Sequence, residues 1–149
     1  MDPDDESKLP CFIDSNIWLY VFMQRQDSAK SAIAKSIIQH NNVVISTQVI
    51  NEVCANLLKK TSSSEMELQE LMSTFYKKYV VIDINQKIML KSSELRKQYN
   101  FSFWDSLIVA CALHINLKRL YSEDMQNGLV VEETLKIINP FASEAKQAR

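Results

Sequence analysis

A chain of 149 residues with 46% apolar content suits one folded domain around one core and excludes a disordered polymer. Its 17 lysines and arginines balance 18 aspartates and glutamates to a net charge of −1, so no overall positive field advertises a nucleic-acid partner, and any such partner must be gripped locally. The lone glycine, Gly128, excludes both the G-x-G-x-x-G dinucleotide turn and the P-loop.

The chain opens on the acidic run Met1-Asp2-Pro3-Asp4-Asp5-Glu6, which lacks the basic and apolar regions of a signal peptide and reads as a flexible start over residues 1–8. The run Cys11-Phe12-Ile13 predicts a first strand, ended by Asp14-Ser15-Asn16. A helix follows from Ser15 to roughly Arg25. Its stretch from Ile17 to Met23 is apolar at every position, yet far short of the roughly 20 residues of a membrane span. A helix apolar all round must be covered all round. Burial in the domain would cover it, and so would a dimer or partner surface using Trp18, Tyr20 or Phe22.

Further along, a helix is expected over Ser28 to Gln39, a strand over Val43 to Ile45, and a helix over Thr47 to Lys60. The next helix, Ser64 to Lys78, carries Met66, Leu68, Leu71, Met72 and Phe75 on one side, an ordinary core stripe. A strand at Val80 to Ile82, helices at Gln86 to Tyr99 and Phe103 to His114, and a strand at Arg119 to Ser122 complete the alternation. A fifth strand-like run is Lys136 to Ile138, closed by Asn139-Pro140. The pattern predicts an α/β domain over residues 9–141: a central parallel sheet of four to five strands with helices on both faces, followed by a polar tail over 142–149. Cys11, Cys54 and Cys111 are odd in number, lie in apolar surroundings and show no C-x-x-C spacing, which implies buried thiols in a reducing, cytoplasmic setting.

Four carboxylates occupy unusual places. Asp14 ends the first strand and Asp124 ends the fourth, and ligand crevices of open α/β sheets lie outside the carboxyl ends of strands. Glu52 lies one turn from Val49 and flanks the apolar face of its helix. Asp105 shares a helix face with Ile108, Val109 and Ala112. Each has a bland alternative. Asp14 could cap the helix that follows it, and Ser102-Phe103-Trp104-Asp105 fits a capping box. Asp124 with Asn127-Gly128 could make a turn, and Glu52 could be solvated. Four such acids gathered at one sheet edge would repel one another, and a bound cation removes that penalty. All-oxygen ligands without paired histidines or cysteines select a hard ion, Mg²⁺ or Mn²⁺ rather than Zn²⁺. Phosphodiester hydrolysis is the reaction class that such a centre serves.

Phe12-Ile13-Asp14-Ser15-Asn16, the segment from Ser46-Thr47 to Glu52, Phe103-Trp104-Asp105-Ser106-Leu107-Ile108 and Leu120 to Gly128 together resemble the PIN-domain ribonucleases, most closely the VapC toxins of type II toxin-antitoxin pairs. The resemblance spans about Cys11 to Phe141. It implies a three-layer α/β/α fold and Mg²⁺- or Mn²⁺-dependent cleavage of RNA. It also implies roles: Asp14, Asp105 and Asp124 as metal ligands, and Glu52 as the acid that helps hold the metal or orient the attacking water. Ser122 falls where the family often has a small hydroxyl residue, and Ser15, Asn16 and Asn127 become supporting or phosphate contacts. Strand alternation turns Glu123 away, so the role goes to Asp124. A homodimer and a cognate antitoxin, docked near Ile17 to Met23 and the Ser64 helix, are the implied partners.

Other readings compete. A haloacid-dehalogenase-type phosphatase wants a second acid two residues after Asp14, where this chain has Asn16. A receiver domain would use Asp83 but needs an acid pair and a lysine that are missing. A PIN nuclease of RNA processing or quality control, or a silent PIN-fold binding module, remains open. Against any RNA enzyme, the basic pairs Lys59-Lys60, Lys77-Lys78, Arg96-Lys97 and Lys118-Arg119 are scattered and form no visible track.

Overall fold

Residues 9–23 and 27–142 are described in a computed structural model of the chain. The acidic start over 1–8, the end of the first predicted helix beyond Met23, and the tail from 143 onward lie outside the described residues.

Every strand predicted from an apolar run is present, with its bounds shifted by at most one residue. The order is β1 (Pro10–Ile13), α1 (Ser15–Met23), α2 (Ser28–His40), β2 (Asn42–Ser46), α3 (Thr47–Lys60), α4 (Glu65–Lys78), β3 (Val80–Ile82), α5 (Gln86–Gln98), α6 (Phe103–His114), β4 (Arg119–Tyr121), β5 (Val130–Val131) and β6 (Leu135–Ile138). Helix starts follow from side chains that accept otherwise orphaned backbone donors: Asp27 for α2, Ser46 for α3, Asn85 for α5 and Ser102 for α6. Ser64, expected inside its helix, stands just outside it and forms a reciprocal capping box with Glu67.

The strands form one sheet in the order β3-β2-β1-β4-β6-β5. All neighbours are parallel except the antiparallel β5–β6 pair, so the sheet has six strands rather than the expected four to five. The addition is the two-residue β5, too short to read as an apolar run. It joins β6 through a turn in which Glu132 and Glu133 take φ of 49° and 64°, and Thr134 N–H donates to Val131 O at 3.1 Å.

The chain starts at the sheet's centre, walks outward through β2 to β3, then returns past β1 to β4. With right-handed crossovers, that reversal puts α1 to α4 on one face and α5 and α6 on the other. The packing agrees: α1 lies against α2 and α3, α3 against α4, and α5 against α6. Cys11, Phe12 and Ile13 are consequently covered from both sides, which explains an apolar run without alternation. The reversal also makes the gap between β1 and β4 the switch point of the sheet, where an open α/β fold leaves a crevice at the strands' carboxyl ends.

Helix α1 is covered mostly by the domain itself. Ile17 and Trp18 are buried, and the Trp18 indole N–H donates to Ile13 O at 3.2 Å. Tyr20 is half-buried against Phe141, and Phe22 is left at the surface. All three cysteines are free and buried. No helix among the described residues is long and apolar enough to cross a membrane.

Candidate active site

Asp14 leaves β1 directly at the switch point. Its backbone N–H donates to Tyr121 O at 3.0 Å, prolonging the β1–β4 pairing, so its side chain is delivered by the sheet itself. The carboxyl group is buried and held on both oxygens: Ser15 N–H donates to Oδ1 at 2.7 Å, and the Ser122 hydroxyl donates to Oδ2 at 2.8 Å. Ser122 is fully buried and fixed by its own backbone N–H, which donates to Ile138 O at 3.0 Å.

The two residues after Asp14 reach outward to the other acids. Ser15 Oγ donates to Glu52 Oε2 at 2.6 Å, and Gln48 Nε2, one helical turn earlier on α3, donates to Glu52 Oε1 at 3.1 Å. Asn16 Nδ2 donates to Asp124 Oδ2 at 3.0 Å, while Asn16 Oδ1 accepts from Glu123 N–H at 3.2 Å. Asp124 N–H in turn donates to Ser122 Oγ at 3.3 Å. Asp105 enters from the opposite face of the sheet, in the first turn of α6, its N–H donating to Ser102 Oγ at 3.1 Å. The strand-exit segment Asp14-Ser15-Asn16 therefore joins the end of β4 to α3, with α6 closing the far side.

Electrostatics tie the four acids together. Burial pushes the Asp14 carboxyl up from 3.8 to about 7, against the lowering effect of the Ser122 and Ser15 bonds, and the charges of Glu52 and Asp105 raise it further. Asp105 is also raised, first by burial and then by the charges of Asp124 and Glu52, with its Ser102 contact opposing. Ion pairs among the described residues run Lys30–Glu123, Lys91–Glu94 and Lys91–Glu132, none of them to these four acids.

Three of the four expected supporting residues, Ser15, Asn16 and Ser122, are brought to the acids. Asn127 is not: its Oδ1 accepts from Asn139 N–H at 2.8 Å and serves the loop instead. Glu123 points elsewhere as alternation requires, accepting from Tyr20 OH at 2.7 Å and Lys30 Nζ at 2.6 Å. Sequence reasoning missed Gln48, whose spacing of four from Glu52 on one helix was a readable signal. It also missed Tyr20 and Lys30, which anchor the segment carrying Asp124 from 103 and 93 residues away, where no local pattern reaches.

Ser122→Ala tests how far the buried carboxyl depends on this support. Losing the donor leaves Asp14 Oδ2 with only the long 3.5 Å contact from Asn16 Nδ2, so folding stability at neutral pH in chelator should fall by about 1–3 kcal/mol, read as a lower urea midpoint. An unchanged midpoint would mean that the hydroxyl does not hold the carboxylate.

An open sheet with carboxylates gathered over its switch point defines a class of acidic α/β active site. The PIN domain family model matches residues 11–126, and the chain belongs to that family. A comparison with curated protein sequences finds no match. Among solved structures, the chain is similar to a toxin-antitoxin complex from Klebsiella pneumoniae, with 21% identity, TM-score 0.67, and coverage of 88% of this chain and 98% of that one. It is similar to VapBC2 from Rickettsia felis bound to a promoter DNA fragment, with 19% identity, TM-score 0.62 and coverage of 88% and 100%. A third is the sarcin-ricin loop cleaving toxin VapC20 of Mycobacterium tuberculosis, with 15% identity, TM-score 0.61 and coverage of 74% and 86%. At these identities the likeness is one of fold.

Proposed function

We propose that this PIN domain is an Mg²⁺- or Mn²⁺-dependent endoribonuclease and the toxin component of a toxin-antitoxin pair. The observation that carries the reading is the meeting of Asp14, Glu52, Asp105 and Asp124 at the switch point of the sheet, in a chain of this family. The toxin-antitoxin complex and the sarcin-ricin loop cleaving toxin among its structural neighbours support it.

The donor set fits a hard cation. It is all oxygen, the neighbouring carboxylate charges raise the proton affinity of Asp14 and Asp105, and a divalent ion offsets that repulsion. Among the described residues no three acidic, histidine or cysteine side chains form a ready-made cage, so holding an ion would require the carboxylates to close in. Asp14, Asp105 and Asp124 would hold the ion, and Glu52 would help hold it or orient the attacking water. When bound, such an ion lowers the pKa of water and neutralises charge on the leaving oxygen. The chain supplies the preorganisation. Ser122 and the Ser15 N–H fix Asp14, the Ser15 hydroxyl and Gln48 fix both Glu52 oxygens, and Asn16 ties the Asp124 segment to β1. Cleavage of a mixed tRNA and rRNA substrate with Mg²⁺ or Mn²⁺, abolished by chelator, is the expected result; cutting that persists in chelator would refute metal dependence.

The antitoxin would dock on the groove between α1, α2 and α4. This hollow, of about 200 Å³, is lined by Trp18, Phe22, Ile38, Leu71, Phe75 and Tyr79, with Lys35 and Lys78 at its margin. Its aromatic floor is continuous: Phe75 meets Trp18 edge-on at 5.1 Å and Phe22 at 6.1 Å between ring centroids. An apolar helix flanked by acidic residues fits such a surface. Phe22→Glu should therefore weaken capture of the protein encoded by a neighbouring small reading frame by about 10-fold or more while leaving RNA cleavage intact. Equal capture would place the partner elsewhere. The homodimer belongs to the same reading, and its check is the mass of the free protein in solution.

A further inference from the structure

Helix α6 is apolar along most of its length, and from Leu107 to Ala112 every residue is buried. Its first turn departs from this. Phe103 and Trp104 are 55% and 56% exposed, although they are the two largest apolar side chains of the helix and immediately precede Asp105. Their rings meet edge to face, with centroids 5.4 Å apart and planes at 73°, an arrangement that leaves ring faces open.

The pair is built into a rigid mount. Ser102 caps the turn, and Ser106 Oγ donates to Phe103 O at 2.6 Å. Arg96 on α5 donates from Nη1 to Ser106 Oγ at 2.7 Å and to Ser92 Oγ at 3.3 Å, which holds its guanidinium 4.3 Å from the Phe103 ring centroid. Two exposed rings thus share the first turn of α6 with Asp105, an acid of the candidate active site, and a fixed cation is mounted against the first of them.

We infer that Phe103, Trp104 and Arg96 form a stacking platform for unpaired nucleobases of the RNA entering the acidic site. The inference rests on the nuclease reading above and adds to it the residues that would hold the bases next to the cut. A carboxylate cluster repels phosphate, and a chain of net charge −1 offers no long-range attraction to compensate. Ring stacking supplies a grip that does not depend on charge, and it is available only to bases free of a duplex. Arg96 adds one cation where a phosphate flanking the stacked base would pass. Binding should therefore show a shallower salt dependence than a lysine-lined RNA groove would give.

The test uses a short RNA spanning the site that the wild type cuts in the tRNA and rRNA mixture, together with versions lacking the base at each position near the cut. Trp104→Ala should raise KM about 5- to 100-fold with a smaller change in kcat, and Trp104→Phe should recover most of the loss. One base-free substrate should impair the wild type to the same extent and leave Trp104→Ala unaffected, since both changes remove one stack. Trp104 is the exposed one of the two tryptophans, Trp18 being buried, so titration with a single-stranded oligouridine should also quench the emission of the wild type and not of Trp104→Phe. Cleavage with an unchanged KM in Trp104→Ala and Phe103→Ala, or dissociation of a wild-type dimer by either change, would overturn the platform and leave the nuclease reading intact. Quenching without cleavage would overturn the nuclease and keep the platform. A wild type that neither cuts nor is quenched would remove both.

Discussion

Asp105→Asn should lower kcat for RNA cleavage by about 10³-fold, the scale of removing one charged partner from a preorganised site. Asp105 is the acid that feels most of the others: its charge raises Asp14, and its own carboxyl is raised by Asp124 and Glu52. Asparagine keeps the shape but not the charge. The N-terminal cap survives, because the Ser102 hydroxyl accepts from the backbone N–H of residue 105 and not from its side chain. Stability should thus be equal or slightly higher, since one source of repulsion is gone, and loss of activity cannot be put down to unfolding. The measurement is cleavage of mixed tRNA and rRNA by both proteins with Mg²⁺, Mn²⁺ or chelator, with urea midpoints alongside. Metal-dependent cutting in the wild type alone supports the reading. Two folded and equally inert proteins would make the silent binding module the better account.

The same residue shows why the candidate site was legible in the sequence. At Asp105 the capping and functional readings are compatible, because the cap engages the backbone donor while the carboxylate, despite its Ser102 contact, is still coupled to Asp14 and Asp124. Asp14 is legible for a similar reason, as an acid at the end of a run that is apolar on both faces can only mark a strand leaving a covered sheet. What escaped were features made by distant parts of the chain or by unusual local chemistry. Two glutamates occupy positive-φ turn positions where Asn-Gly is the usual signal, so β5 was invisible. Asn127 carries the right residue type at the right spacing, but the loop needs its side chain for Asn139. Glu123 could be turned away by alternation alone, yet nothing local announced Lys30 and Tyr20 as its partners. Phe103 and Trp104 read as ordinary apolar helix residues, and only their exposure separates them from Leu107 and Ile108.

Asp14→Asn should stabilise the metal-free protein at alkaline pH while abolishing its response to metal. Burial lifts the folded-state carboxyl from 3.8 to about 7, so the folded chain holds this proton more tightly than the unfolded one. The stability that comes with the protonated form is then complete below about pH 4 and is lost as pH rises through about 7, where the penalty levels off. Asp105 is shifted in the same direction and adds to the decline. A shift of this size corresponds to roughly 2–4 kcal/mol once relaxation of the site is allowed for, and asparagine escapes it. At about pH 8 in chelator the variant should melt well above the wild type, and near pH 4 the two should converge. Added Mg²⁺ reverses the order, because an ion that binds only the folded wild type stabilises it by linkage, increasingly as protons leave the site. Melting curves at both pH values, with chelator and with Mg²⁺, separate the contributions. A metal-free wild type whose stability is flat across this window, or a variant less stable than the wild type at alkaline pH, would mean that the Asp14 carboxylate is accommodated by its Ser122 and Ser15 bonds alone and needs no cation to offset its burial.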